Sequence, residues 1–104
     1  TMYDAHLLKP IVLHADYKID VNLVRNKFAE LLRASDAYDE TLPPKVQVVD
    51  SSKEAIVIRA LCSARNAPTA WDLHCQLRED MVAYIAGLES GRYLAKERIK
   101  LQYE

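Results

Sequence analysis

Apolar and polar residues alternate through residues 7–17. Ile11, Leu13, Ala15 and Tyr17 interleave with Val12, His14 and Asp16, a period of two that predicts a strand with one buried face. Pro10 near its start suits a strand entry or a sheet edge, because proline cannot donate to a ladder. The period then changes. Asp20 stands where an N-cap belongs. Behind it Val21, Val24, Phe28, Leu31 and Leu32 share one helical face, while Asn22, Asn26, Lys27, Glu30 and Arg33 fall elsewhere. This predicts a helix over 20–34. Leu23 points away from the stripe and reads as an exposed leucine or a contact with another subunit.

Residues 35–44 are polar and end in Pro43-Pro44, which blocks helix continuation. A short valine-rich strand follows over 45–50, with Val46 and Val48 as its expected core face. After the polar turn Asp50-Ser51-Ser52-Lys53, residues 54–65 alternate again. Ile56, Ile58, Ala60, Cys62 and Ala64 make one face; Val57, Arg59, Leu61, Ser63 and Arg65 make the other. The two strands read as a β-hairpin. Asn66-Ala67-Pro68-Thr69 then opens a second helix, with Pro68 in its first turn. Ala70, His74, Leu77, Met81, Tyr84, Ile85 and Leu88 form its apolar face, and Trp71, Cys75 and Val82 widen it. The helix is expected to end near Glu89, between Gly87 and Gly91. The tail 92–104 reads equally as strand or helix. Tyr93 and Leu94 are placed to dock on the domain, and Ile99, Leu101 and Tyr103 alternate with Arg98, Lys100 and Gln102.

The order is β-α-β-β-α, with a possible extra C-terminal strand. This is the split βαβ order of a ferredoxin-like α+β sandwich. Residues 1–91 form the expected domain and 92–104 a separate tail. Helices then cover one face of an antiparallel sheet. The other face carries Val12, His14, Asp16, Lys45, Gln47, Val49, Val57, Arg59, Leu61, Ser63 and Arg65, half apolar and half charged. A mixed face of this kind suits a second surface or a hydrated space between subunits.

Composition narrows the function classes. The 104 residues suit one domain. Fourteen basic residues against fifteen acidic ones leave no basic excess for a nucleic-acid binder. The third strand offers no aromatic residue for stacking bases. No run approaches the ~20 apolar residues needed to cross a bilayer, and no signal-peptide pattern opens the chain. The Thr1-Met2 opening fits a piece of a longer protein. Two cysteines are too few for a disulfide framework, which favours a reducing compartment.

Catalytic and metal chemistry find little support. Cys62, Cys75 and His74 do not have zinc-ligand spacing, and adjacent helical residues such as His74 and Cys75 point about 100° apart. Buried structural thiols and a core or interface histidine are the better reading. His14 and Asp16 suggest an acid–base pair, but no nucleophile, phosphate loop or oxyanion motif accompanies them. No catalytic residue, metal ligand or cofactor is assigned.

One arrangement is more specific than the topology. EAIVIRALCSARNA runs directly into PTAWDLHCQLREDMVAYI, with Trp71-Asp72 opening the helix and Leu77-Arg78-Glu79 continuing it. VLHADYKIDVNLVRNKF, with Asp16-Tyr17 and Asp20, supplies the first strand and helix, and PPKVQVVDSS the second strand and turn. Over residues 7–89 this resembles the C-terminal cytosolic domain of the small-conductance mechanosensitive ion channel family. The tail does not match the glycine- and proline-containing final strand of some members.

The resemblance implies a non-catalytic domain of a homo-heptameric, tension-gated channel at the cytoplasmic face of the bacterial inner membrane. It would help assemble a hollow cage and shape the path of ions and small solutes to the pore. His14, Asp16, Lys45, Arg59, Leu61 and Arg65 are then the candidate cage-lining or interface residues, and Leu23 the candidate subunit contact. Two other readings stand beside it. One is a ferredoxin-like regulatory module binding a small ligand at a subunit interface, although no glycine-containing loop joins the first strand to its helix. The other is a small enzyme using His14 and Asp16.

Overall fold

A computed structural model of the chain describes residues 6–95. The elements in order are β1 (His6–Leu7), β2 (Ile11–Ala15), α1 (Val21–Arg33), β3 (Lys45–Ser51), β4 (Ile56–Leu61), β5 (Ser63–Ala64) and α2 (Ala67–Gly87). The α+β class and the β-α-β-β-α order are those expected. β2, β4 and β3 form a three-stranded sheet in that spatial order, antiparallel throughout. The hairpin strand β4 is therefore central, as the split βαβ arrangement requires.

Both long strands expected from the sequence are interrupted. The run 7–17 divides into β1 and β2, and the run 54–65 divides into β4 and β5. The two breaks lie side by side, because β1 pairs with β5 as β2 pairs with β4. The Leu8 N–H donates to the Cys62 carbonyl at 3.0 Å and holds the chain together across the gap. Pro10 stands at the break, where a missing N–H costs nothing.

The helix-facing side of the sheet supplies Ile11, Leu13, Ala15, Val46, Ile56, Ile58 and Ala60, all buried. α1 adds Val24, Phe28 and Leu32; α2 adds Leu73, His74, Leu77, Met81 and Ile85. Both helices begin on side-chain caps. Asp20 accepts from the Asn22 N–H, and Asn66 from the Thr69 N–H. Each cap satisfies a first-turn donor that has no partner within its helix.

Several expectations shift at element ends. Tyr17 is exposed and Asp16 is buried, the reverse of the alternation, because β2 stops at Ala15 and the chain turns. Val48 is exposed although it keeps its helix-side parity, since β3 is an outer strand. α2 widens its buried face through Leu73, while Trp71 and Val82 remain exposed. It ends at Gly87, two residues before Glu89, in a turn over Leu88–Gly91. Glu89, Ser90 and Gly91 all take positive φ there. That turn reverses the chain, so the Tyr93 carbonyl accepts from the Asp16 N–H at 2.8 Å and Leu94 bridges Ala15. Tyr93 and Leu94 thus meet the domain as expected. The readings made for Ile99, Leu101 and Tyr103 lie outside the described residues.

Candidate functional site: the open face of the sheet

The face of β2, β4 and β3 turned away from the helices presents two cross-strand rows. Val12 lies beside Arg59, which lies beside Gln47; His14 lies beside Val57, which lies beside Asp50. Leu61 and Lys45 make a shorter pair at one end. The face therefore holds a cationic group in the first row, an acid in the second, and apolar side chains between them.

Asp50 joins this face against the alternation. A bulge between Val48 and Asp50 leaves Val49 out of register and reverses the parity of the strand end. Alternation alone places Val49 on this face. Nothing in the local sequence announces the inserted residue.

Arg59 is half-buried, and among the described residues its Nε meets no hydrogen-bond partner although it is shielded from solvent. A guanidinium N–H shut away from water without an acceptor is costly. Val12 is 39% exposed beside it, so the surroundings are more apolar than a free charged surface would offer.

The remaining predicted residues are spread over the molecule. Asp16 does not share the face: it sits buried at the end of β2, where its carboxylate accepts from the Lys18 N–H at 3.0 Å. Arg65 lies past β5, and its Nε donates to the Tyr38 carbonyl at 3.0 Å. Leu23 is exposed on α1, away from the core stripe. The structure thus brings His14, Lys45, Arg59 and Leu61 onto one face and leaves Asp16, Arg65 and Leu23 off it.

The other chemistry-bearing groups are structural in their contacts. Burial pushes the Cys62 thiol up to about 12, so it stays protonated and poorly nucleophilic. Tyr38 is buried against the same region, its hydroxyl donates to the Leu42 carbonyl, and burial raises its pKa. Sequence reading missed Tyr38 because one aromatic in a polar loop carries no periodicity. Among the described residues no group of three His, Cys, Asp or Glu side chains could hold a metal ion. A shallow groove of about 210 Å³ between β2 and α2 is lined by Val12, Leu13, His14, Val82, Ile85 and Leu94. Among the described residues its walls offer one titratable group, His14, and no pair for acid–base work.

A split βαβ sheet with helices on one side and a mixed open face on the other defines the class of fold. The same fold occurs in a solved structure. The chain superposes on the crystal structure of Helicobacter pylori MscS in its closed state with a TM-score of 0.68 and 13% sequence identity. The match covers 90% of this chain and 36% of that one, so this chain spans about a third of that protein's length. No family model matches the sequence, and no curated protein matches it. Among the described residues no helix is long and apolar enough to cross a membrane.

Proposed function

We propose that this chain is a non-catalytic, membrane-peripheral domain of a mechanosensitive-type channel, and that its open sheet face lines a subunit contact or solute path in a homo-oligomeric assembly. The observation that carries the reading is the match to MscS over 90% of the chain. The sequence resemblance over residues 7–89 supports the same reading. On this reading the domain would stand at the cytoplasmic side of the inner membrane, attached to membrane-spanning segments elsewhere in the polypeptide. The assembly would be a heptamer surrounding a cage through which ions and small solutes reach the pore.

The open face supports the placement. Arg59 has a shielded N–H that lacks a partner within the described residues, which is what a group completed by a neighbouring subunit or by bound anions would show. Lys45 and Arg59 on the same face would raise the local anion concentration in a confined, hydrated space. Leu23, exposed on α1, is the proposed contact with the next subunit.

The test is patch-clamp recording of the intact polypeptide that carries this chain, in a membrane without other mechanosensitive channels. Suction should open a conductance. Arg59→Gln together with Lys45→Gln should move the reversal potential in a salt gradient toward cations. Adding Arg65→Gln should contribute little, because that side chain is engaged by the Tyr38 carbonyl. A protein that reaches the membrane and passes no suction-activated current would sink the reading.

A further inference from the structure

β3 is an outer strand of the sheet, so one of its edges has no strand beside it among the described residues. The Arg25 side chain crosses from α1, and its Nε donates to the Val46 carbonyl at 3.0 Å. A carbonyl reached from α1 in this way points away from β4. In an antiparallel ladder both polar groups of such a residue point outward, and the pattern repeats two residues on. Val46 and Val48 therefore present the outward N–H and C=O groups of the edge, and Arg25 occupies one of them.

We propose that Arg25 guards this edge against pairing with the β3 edge of a second copy of the chain. The edge is suited to self-pairing in other respects. Val48 and Val49 are 45% and 46% exposed at its middle. Lys45 starts the strand and Asp50 stands near its end. Two copies running antiparallel bring Lys45 of one toward Asp50 of the other at both ends, a self-complementary arrangement that closes as a dimer. Exposed edges of this kind recruit other strands unless something blocks them.

The guard is held in place. Arg25 Nη1 donates to the Asn22 Oδ1 at 2.8 Å, one turn earlier on the same helix. Its guanidinium caps the groove between α1 and β3, whose other walls include Phe28, Ala29, Pro44 and Val46. An incoming strand would have to displace a charge-assisted bond to reach the Val46 carbonyl. The bulge at Val49 re-aims the far half of the strand, and Arg25 blocks the near half.

Light scattering after size exclusion tests this on the chain, comparing wild type with Arg25→Ala over a concentration series. Arg25→Ala should show a concentration-dependent increase to about twice the wild-type mass. Hydrogen exchange at the Val46 and Val48 amides should slow as the larger species fills. Val48→Lys added to Arg25→Ala should restore the wild-type mass. Arg25 is exposed, so the helix signal should be unchanged. If it is not, Asn22→Ala, which only unties the guard, takes its place and should shift the mass in the same direction. An Arg25→Ala chain that keeps the wild-type mass at every concentration overturns the proposal. So does association that Val48→Lys fails to reverse.

Discussion

Trp71 lies flat on His74, with ring centroids 5.1 Å apart and planes 6° from parallel. His74 is buried while Trp71 is 60% exposed, so the indole is a lid and the imidazole is what it covers. The His74 Nδ1 sits 2.9 Å from the Lys9 carbonyl, at the break between β1 and β2. Its Nε2 sits 3.3 Å from the Arg78 Nη2. A guanidinium only donates, so Nε2 accepts and the proton is on Nδ1, donated to Lys9. The ring ties α2 to the one point on the first strand where the ladder is interrupted.

His74→Ala should therefore cost more than Trp71→Ala. The first leaves a cavity and an unpaired Lys9 carbonyl, and about 2–4 kcal/mol is expected. The second removes a stacked but mostly solvated ring, for about 1 kcal/mol. Urea unfolding of both variants checks the order. A larger loss for Trp71→Ala would contradict the assignment of His74 as the anchor.

The two thiols should behave differently. Cys62 is buried with its pKa raised from 9.0 to about 12, whereas Cys75 is only half-buried on α2. A colourless disulfide reagent at pH 8 should label Cys75 in the folded chain and both cysteines in denaturant. The raised value also has a stability consequence. Between pH 9 and 12 the unfolded thiol loses its proton while the folded one keeps it, so the folded state binds more protons. Stability from this group is complete below pH 9 and declines as pH rises toward 12. Cys62→Ala should flatten that decline in denaturation series across the window.

How much of this was legible in the sequence depends on where each residue sits in its element. The stripe Val24, Phe28, Leu32 and the alternation Ile56, Ile58, Ala60 are legible because burial there follows period alone. The strand ends are not. Asp16 and Tyr17 exchange places because a turn begins one residue sooner than the pattern does. Asp50 reaches the open face through a bulge, which inserts a residue without changing the local composition. The candidate site suffered more than the core for the same reason. Most of its members, though not Arg59, lie near strand ends or a sheet edge, where a one-residue slip moves a side chain to the other face. Arg65 lies one residue past β5 and is captured by the carbonyl of Tyr38, a contact across 27 positions of sequence.

The two glycines should respond oppositely to alanine. Gly87 is in the last turn of α2 with φ −86°, and a Cβ there would meet nothing within 4 Å. Gly87→Ala should stabilise the chain by about 0.5–1 kcal/mol through helix propensity. Gly91 has φ +86°, and its Cβ would approach the Leu94 Cδ1 to 3.3 Å. Gly91→Ala should destabilise by about 1–2 kcal/mol. Ser90 has φ 58° and is exposed, so Ser90→Gly should relieve left-handed strain of about 1–2 kcal/mol, offset in part by the freedom glycine gives the unfolded chain, for a smaller net gain. Thermal unfolding of the three variants reads all of these signs at once.

Ser63 provides the least intuitive expectation. It is only 1% exposed in β5, opposite Leu7, and among the described residues its hydroxyl has no hydrogen-bond partner. Its backbone is well used, because the Ser63 carbonyl accepts from the Asp39 N–H at 2.9 Å and holds the 35–44 loop against the strand. Removing only the hydroxyl keeps that bond and discards a buried polar group. Ser63→Ala should therefore stabilise the chain by about 1 kcal/mol, whereas most substitutions at buried positions destabilise. Ser63→Val should destabilise, because one methyl takes the place of the hydroxyl and nearly full burial leaves little room for the second. Chemical denaturation of the two variants decides the matter. A Ser63→Ala chain less stable than wild type would mean that the hydroxyl is satisfied in solution.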